Sequence, residues 1–89
     1  MSPFITAADR ARRLLEAQIL ETLDLEGPTS ICRLVDRLYR HVDAASRPDA
    51  ARDVLVCLVA LTHESRVECR QGLPTMRAIY DLRRWRAAA

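Results

Sequence analysis

The C-terminal half of the chain carries the clearest structural pattern. Residues 48–85 read PDAARDVLVCLVALTHESRVECRQGLPTMRAIYDLRRW. The largely apolar segment 48–64 predicts a helix, which Ser46-Arg47-Pro48-Asp49 introduces with a Ser-x-x-acid capping pattern and an early proline. The segment 67–82 then alternates apolar and polar residues on either side of the turn-forming Gln71-Gly72-Leu73-Pro74-Thr75. This alternation predicts a two-stranded hairpin.

The helix predicted at 48–64 is apolar on both sides. Its inward stripe contains Ala51, Val54, Leu55, Leu58, Leu61 and Thr62. Its opposite side carries Arg52, Val56, Val59, Ala60 and His63. A helix that is apolar all round is normally buried on both sides. We therefore expect this outer face to be covered, either within the same chain, by helix 1 or by Phe4, Ile5 and Trp85, or by another chain.

An amphipathic helix is predicted upstream, over about 6–25. Thr6-Ala7-Ala8-Asp9 repeats the capping pattern at its start, and Gly27-Pro28 follows its last turn. Its core side contains Ala8, Ala11, Leu15, Ile19 and Thr22. Leu20 is predicted nearer the outer face, beside Ala17 and Arg13.

A second helix is predicted over about 30–41, with Thr29 or Ser30 as its cap. The connection from His41 to Arg47 is longer than the turn of a simple helix-turn-helix, unless this helix continues through Val42.

Length and composition indicate one small domain over 1–89. The formal net charge is only +2. Any interaction with nucleic acid must therefore depend on where the arginines lie rather than on a strong electrostatic field of the whole molecule. No apolar run approaches the roughly 18 residues that a membrane span needs. The N-terminus lacks the pattern of a secretory signal. These features predict a cytoplasmic protein without membrane contact.

Catalytic and metal chemistry are not indicated. Cys32, Cys57 and Cys69 are widely spaced, and His41 and His63 have no helical His partner. This spacing is not that of a zinc site or a disulfide framework. No nucleophile, base and orienting group fall in a recognisable pattern. We therefore expect no enzymatic activity, no metal, no cofactor and no small-molecule substrate.

Three helices followed by a basic hairpin resemble the winged helix-turn-helix superfamily. The likeness is carried by Gly27-Pro28-Thr29-Ser30-Ile31, by Val54, Leu55, Leu58 and Leu61, by Ser65-Arg66-Val67-Glu68-Cys69-Arg70-Gln71-Gly72 and by Tyr80-Asp81-Leu82. The resemblance implies an α+β, mainly α fold: a three-helix winged helix-turn-helix with a C-terminal β-hairpin wing. The chain departs from the pattern in the long connection before helix 3 and in the aliphatic outer side of that helix.

The resemblance also implies a small regulatory protein that binds duplex DNA. Helix 3 would enter the major groove and the wing would touch the flanking backbone. Carried over to this sequence, the nucleic-acid contacts are Arg52, His63, Arg66, Arg70, Gln71 and Arg77. One arginine among valines reads little sequence, so phosphate contact by the wing is the stronger expectation.

A protein-interaction module is the alternative. Its interface residues would be Val56, Val59, Ala60 and Leu20, because exposed apolar patches mark contact surfaces. The partner would be a second copy, giving a homodimer, or another protein. In the second case the domain would serve as an adaptor or inhibitor, including one of phage or mobile-element type.

Overall fold

The computed structural model describes residues 7–70 and 77–83. Within these ranges, helices and strands follow in the order α1 (Ala7–Glu26), β1 (Thr29–Ser30), α2 (Ile31–Leu38), α3 (Arg47–His63), β2 (Val67–Cys69) and β3 (Ile79–Leu82). The predicted class is confirmed: an α+β, mainly helical fold with a winged-helix-like arrangement. The predictions that involve Thr6, the turn 71–75 and the covering residues Phe4, Ile5 and Trp85 concern positions outside the described residues.

The sheet has one strand more than the predicted hairpin. β1 pairs antiparallel with β3, Thr29 opposite Tyr80 and Ser30 opposite Ile79, and the strand order is β1-β3-β2. Ser30 is both the last residue of β1 and the N-cap of α2. Its backbone is extended, and its hydroxyl accepts the Arg33 N–H at 3.3 Å. A strand of two residues is too short to show alternation in sequence, so only its pairing reveals it.

The path between α2 and α3 differs from the prediction at both ends. α2 stops at Leu38 rather than near residue 41, because Tyr39 leaves the helical region at φ −126° and ψ 54°. Ser46 does not cap α3 with its side chain. Its own N–H instead donates to the Asp43 carboxylate at 2.9 Å, and hydrogen bonding to Ser46 lowers the pKa of Asp43. An ion pair between Arg47 and Asp36 then ties the start of α3 to α2.

A single apolar core joins the three helices to the inner face of the sheet. Its buried members are Ile19, Leu23, Ile31, Leu34, Val35, Ala50, Val54, Cys57, Leu58, Leu61, Val67, Ala78 and Tyr80. α3 contributes five of them, more than any other element, and three of these five, Val54, Leu58 and Leu61, belong to its predicted inward stripe. α1 contributes only Ile19 and Leu23, and every residue from 7 to 14 is exposed. The first turns of α1 therefore lie outside the core, and the core-side positions predicted for Ala8 and Ala11 are wrong.

A left-handed residue ends α3 and directs the chain into the wing. Ser65 has φ 60°. Its N–H donates to the Thr62 carbonyl at 3.0 Å, and the N–H of Arg66 donates to the Leu61 carbonyl at 2.9 Å. This is a Schellman motif, which normally places glycine at the left-handed position. Gly27, with φ 77°, occupies the equivalent position after α1.

Substitutions at the two left-handed positions, Ser65 and Gly27, are expected to change the free energy of unfolding in opposite directions. Ser65→Gly removes the left-handed strain of a residue with a Cβ and should raise the free energy of unfolding by about 0.5–1 kcal/mol. Gly27→Ala should lower it by about 1 kcal/mol. That loss is purely conformational, since no atom lies within 4 Å of the added Cβ. Urea unfolding of both variants measures the difference, and destabilisation by Ser65→Gly would contradict the assignment of strain.

Candidate nucleic-acid interface

The outer side of the hairpin carries an array of arginines, which we name the wing face. It consists of Arg66, Glu68, Arg70, Arg77, Ile79, Asp81 and Arg83. Residues between them, such as Val67, Ala78 and Tyr80, are buried against the core. Strand alternation therefore directs the wing face toward solvent on the opposite side of the sheet.

Backbone hydrogen bonds place these arginines at the two ends of the hairpin. The Arg83 N–H donates to the Arg66 carbonyl at 3.1 Å, so these two residues are neighbours at the end next to α3. The Arg70 N–H donates to the Ile79 carbonyl at 2.9 Å, which puts Arg70 and Arg77 at the opposite end of the hairpin, away from α3. Four residues of extended chain separate the two ends by about 13 Å.

The wing face holds four arginines against two carboxylates. Glu68 and Asp81 lie opposite each other across the strands, an unfavourable pairing of like charges. Arg70 offsets it, because its guanidinium lies 3.7 Å from the Asp81 carboxylate. Asp81 also accepts the N–H of Leu82 at 2.8 Å. An ion pair at a solvent-facing site is weak, so Arg70 is only partly neutralised.

The outer face of α3 is less basic than a groove-reading helix requires. Arg52 and His63 are exposed there, as predicted. Asp49 and Asp53, which recur at the same three- and four-residue spacing, are exposed on the same side. Two carboxylates therefore accompany one arginine where DNA phosphates would approach. This charge balance disfavours insertion of α3 into the major groove.

The residues predicted for a protein interface are only partly available. Val56 is 48% exposed, whereas Val59 and Ala60 are half-buried. The prediction that Leu20 faces outward is wrong. Its side chain is half-buried and packs against the core. At its position on α1 the core reaches further round the helix than a single inward stripe predicts.

The structure adds one arginine to the predicted nucleic-acid contacts, and one predicted contact lies outside the described residues. Arg83 shares the wing face with Arg66, Arg70 and Arg77, and the alternation from residue 77 to 83 would have predicted it. Gln71 lies outside the described residues. The sequence prediction of this surface also missed Asp49 and Asp53, although helical spacing places them on the same side of α3 as Arg52.

The cysteines differ in exposure. Cys32 is exposed, Cys69 is half-buried and Cys57 is buried. Burial raises the pKa of the Cys57 thiol to about 11, which keeps it protonated at neutral pH. The described ranges contain no group of three His, Cys, Asp or Glu side chains placed to hold a metal ion. Among the described helices, none combines the length and apolar character needed to cross a membrane.

Comparison of the chain with protein-family models, with curated proteins and with solved structures gives no significant match. A function for this chain must therefore be inferred from its architecture and from the chemistry of these surfaces.

Proposed function

We propose that the protein is a small, cytoplasmic DNA-binding regulator of the winged helix-turn-helix superfamily that holds duplex DNA through its wing. Its role is binding rather than catalysis, and it uses no cofactor. The supporting observation is the wing face, where Arg66, Arg70, Arg77 and Arg83 project from one side of the hairpin. The arrangement of α1, β1, α2, α3 and the hairpin supports the superfamily assignment.

The proposed contacts are to phosphates rather than to base edges. A guanidinium presents planar N–H donors that match two phosphate oxygens, and it stays charged at any physiological pH. Phosphate contacts hold a protein on the duplex without reading its sequence. The mixed charge of α3, with Asp49 and Asp53 beside Arg52, favours this mode over base readout by the helix.

Binding through the wing face predicts a specific salt dependence. The logarithm of the binding constant should fall linearly with the logarithm of salt concentration, by a slope of about 0.9 per phosphate neutralised. Replacing Arg66 and Arg83 together by alanine should reduce that slope by about two and weaken binding roughly tenfold or more. Fluorescence anisotropy with a labelled duplex measures both quantities.

The matched control replaces Arg33 and Arg40 by alanine. Both side chains are exposed near α2, and their loss changes the net charge equally. The control should leave the salt slope nearly unchanged. Absence of binding at low salt, or an equal loss in the control, would remove the proposal.

Asp81→Asn should tighten DNA binding several-fold. The substitution removes a negative charge from the wing face and releases Arg70 from its ion pair. The asparagine carbonyl retains an acceptor for the Leu82 N–H, so the strand geometry should persist. Anisotropy at fixed salt, with thermal unfolding as the check on folding, tests the sign. Weaker or unchanged binding by a folded variant contradicts a phosphate-binding wing face.

A second candidate function is a protein-interaction module that uses the outer face of α3. The observation that favours it is Val56, which is 48% exposed on a largely aliphatic helix side. Asp49 and Asp53 border this side, so it suits a partner with a small apolar contact and a basic rim. An adaptor or inhibitor would fit this chemistry.

Val56→Asp tests the second candidate. Val56 is exposed enough to accept a carboxylate with little loss of stability, unlike half-buried Val59 and Ala60. Cross-linking and affinity capture should show loss of a bound protein in this variant. Ala44→Asp adds the same charge at an exposed position between α2 and α3, so it is the control and should retain the partner. Capture of the same proteins by both variants would exclude α3 as the interface.

A further inference from the structure

The charges of the wing face are ordered along the hairpin. Starting beside α3, they form a basic group, an acidic group and a second basic group: Arg66 with Arg83, Glu68 with Asp81, and Arg70 with Arg77. Glu68 and Asp81 lie opposite each other in the strand register, midway between the arginines. About 13 Å separates the two basic groups. The wing face therefore does not present a uniformly positive surface to DNA.

Glu68 supplies the more accessible negative charge at the centre of the wing face. Its side chain is exposed, whereas Asp81 is half-buried. The Asp81 carboxylate also lies 3.7 Å from the Arg70 guanidinium and accepts the Leu82 N–H at 2.8 Å. A duplex held by the arginines at both ends would therefore have the Glu68 carboxylate close to its surface.

This order of charges favours one orientation of the hairpin on a duplex. Each DNA strand carries a phosphate for every 3.4 Å of helix axis. If the hairpin followed one strand, phosphates between the two basic groups would face the carboxylates of Glu68 and Asp81, and like charges repel. If the hairpin crosses a groove, each basic group meets the phosphates of one strand and the acidic group faces the space between the strands.

The separation of the two basic groups selects the groove. The minor groove of B-DNA is about 6 Å wide and the major groove about 12 Å wide, not counting the phosphate groups that border them. Once those phosphate groups are included, the separation of about 13 Å matches the minor groove better than the major groove. The acidic group then lies over the minor groove.

We propose that the wing crosses the minor groove and that Glu68 disfavours binding to A-tracts. This inference rests on the proposed function and adds a sequence preference to it. The minor groove of an A-tract is narrow and has an enhanced negative potential, which repels a carboxylate. A guanine instead presents its N2 amino group, a hydrogen-bond donor, in the minor groove. The expected preference is for G·C-rich duplexes over A-tracts.

Three duplexes of equal length test the preference with the native chain. One has alternating G·C pairs, one is an A-tract, and one has inosine in place of every guanine. Inosine lacks only the N2 amino group, so the major-groove edge is unchanged while the minor groove presents acceptors alone, as in A·T pairs. Fluorescence anisotropy at fixed salt should give binding to the G·C duplex about threefold tighter, or more, than to either of the others.

Glu68→Gln tests the residue that carries the preference. The substitution removes the charge with little change in side-chain size. It should tighten binding to the A-tract more than to the G·C duplex, and so bring the ratio of the two affinities close to one. Thermal unfolding should show no loss of stability, because one of two opposed carboxylates is neutralised. The control, Glu21→Gln, makes the same change at an exposed position on α1 and should leave the ratio at its native value.

Several results would overturn the inference and leave a phosphate-binding wing in place. They are equal binding to all three duplexes, a native preference that persists in folded Glu68→Gln, and a preference that Glu21→Gln removes as well. Equal binding to the guanine and inosine duplexes, with weaker binding to the A-tract, would place the contact outside the minor groove and also overturn it. Absence of binding to every duplex at low salt would remove the proposed function itself, and the inference with it.

Discussion

The antiparallel pairing of β3 with both β1 and β2 holds the structure together. β3 is the central strand, and its Tyr80 is fully buried between Thr29 on one side and Cys69 on the other. This pairing joins the start of α2 to the hairpin. It thereby attaches the wing to the helical core instead of leaving it as an isolated hairpin, which is marginally stable in water.

The same pairing creates the candidate DNA surface. Once Val67, Ala78 and Tyr80 face the core, strand geometry turns the alternate residues outward. The arginines of the wing face then lie on one side, without any need for clustering in the sequence. The left-handed Ser65 contributes by ending α3 where the chain must turn into β2.

Three surfaces of different chemistry surround one core. The wing face is rich in arginine, the outer side of α3 is mixed in charge with one half-exposed valine, and the outer side of α1 exposes Leu14 and Leu25 among polar and charged residues. Because these surfaces belong to different elements, they can serve different partners.

Local sequence patterns determined much of this protein by themselves. Helical spacing predicted α1 and α3 to within about a residue. Alternation predicted the hairpin and the outward side of Arg70 and Arg77, while Arg66 was expected only from the resemblance to winged helices. The same patterns missed β1, overextended α2 and misplaced the outward-facing residue Leu20. They placed the N-cap of α3 correctly at Ser46, but the side-chain hydrogen bond expected of that cap is absent.

Periodicity reports only on residues within a turn or two of each other, which is why it finds elements and their faces. The meeting of Thr29 with Tyr80 depends on chain segments that are far apart in sequence. The extent to which the core covers Val59, Ala60 and Leu20 also depends on contacts between distant segments. These features follow from how the helices and the sheet pack together, and only the tertiary structure decides them.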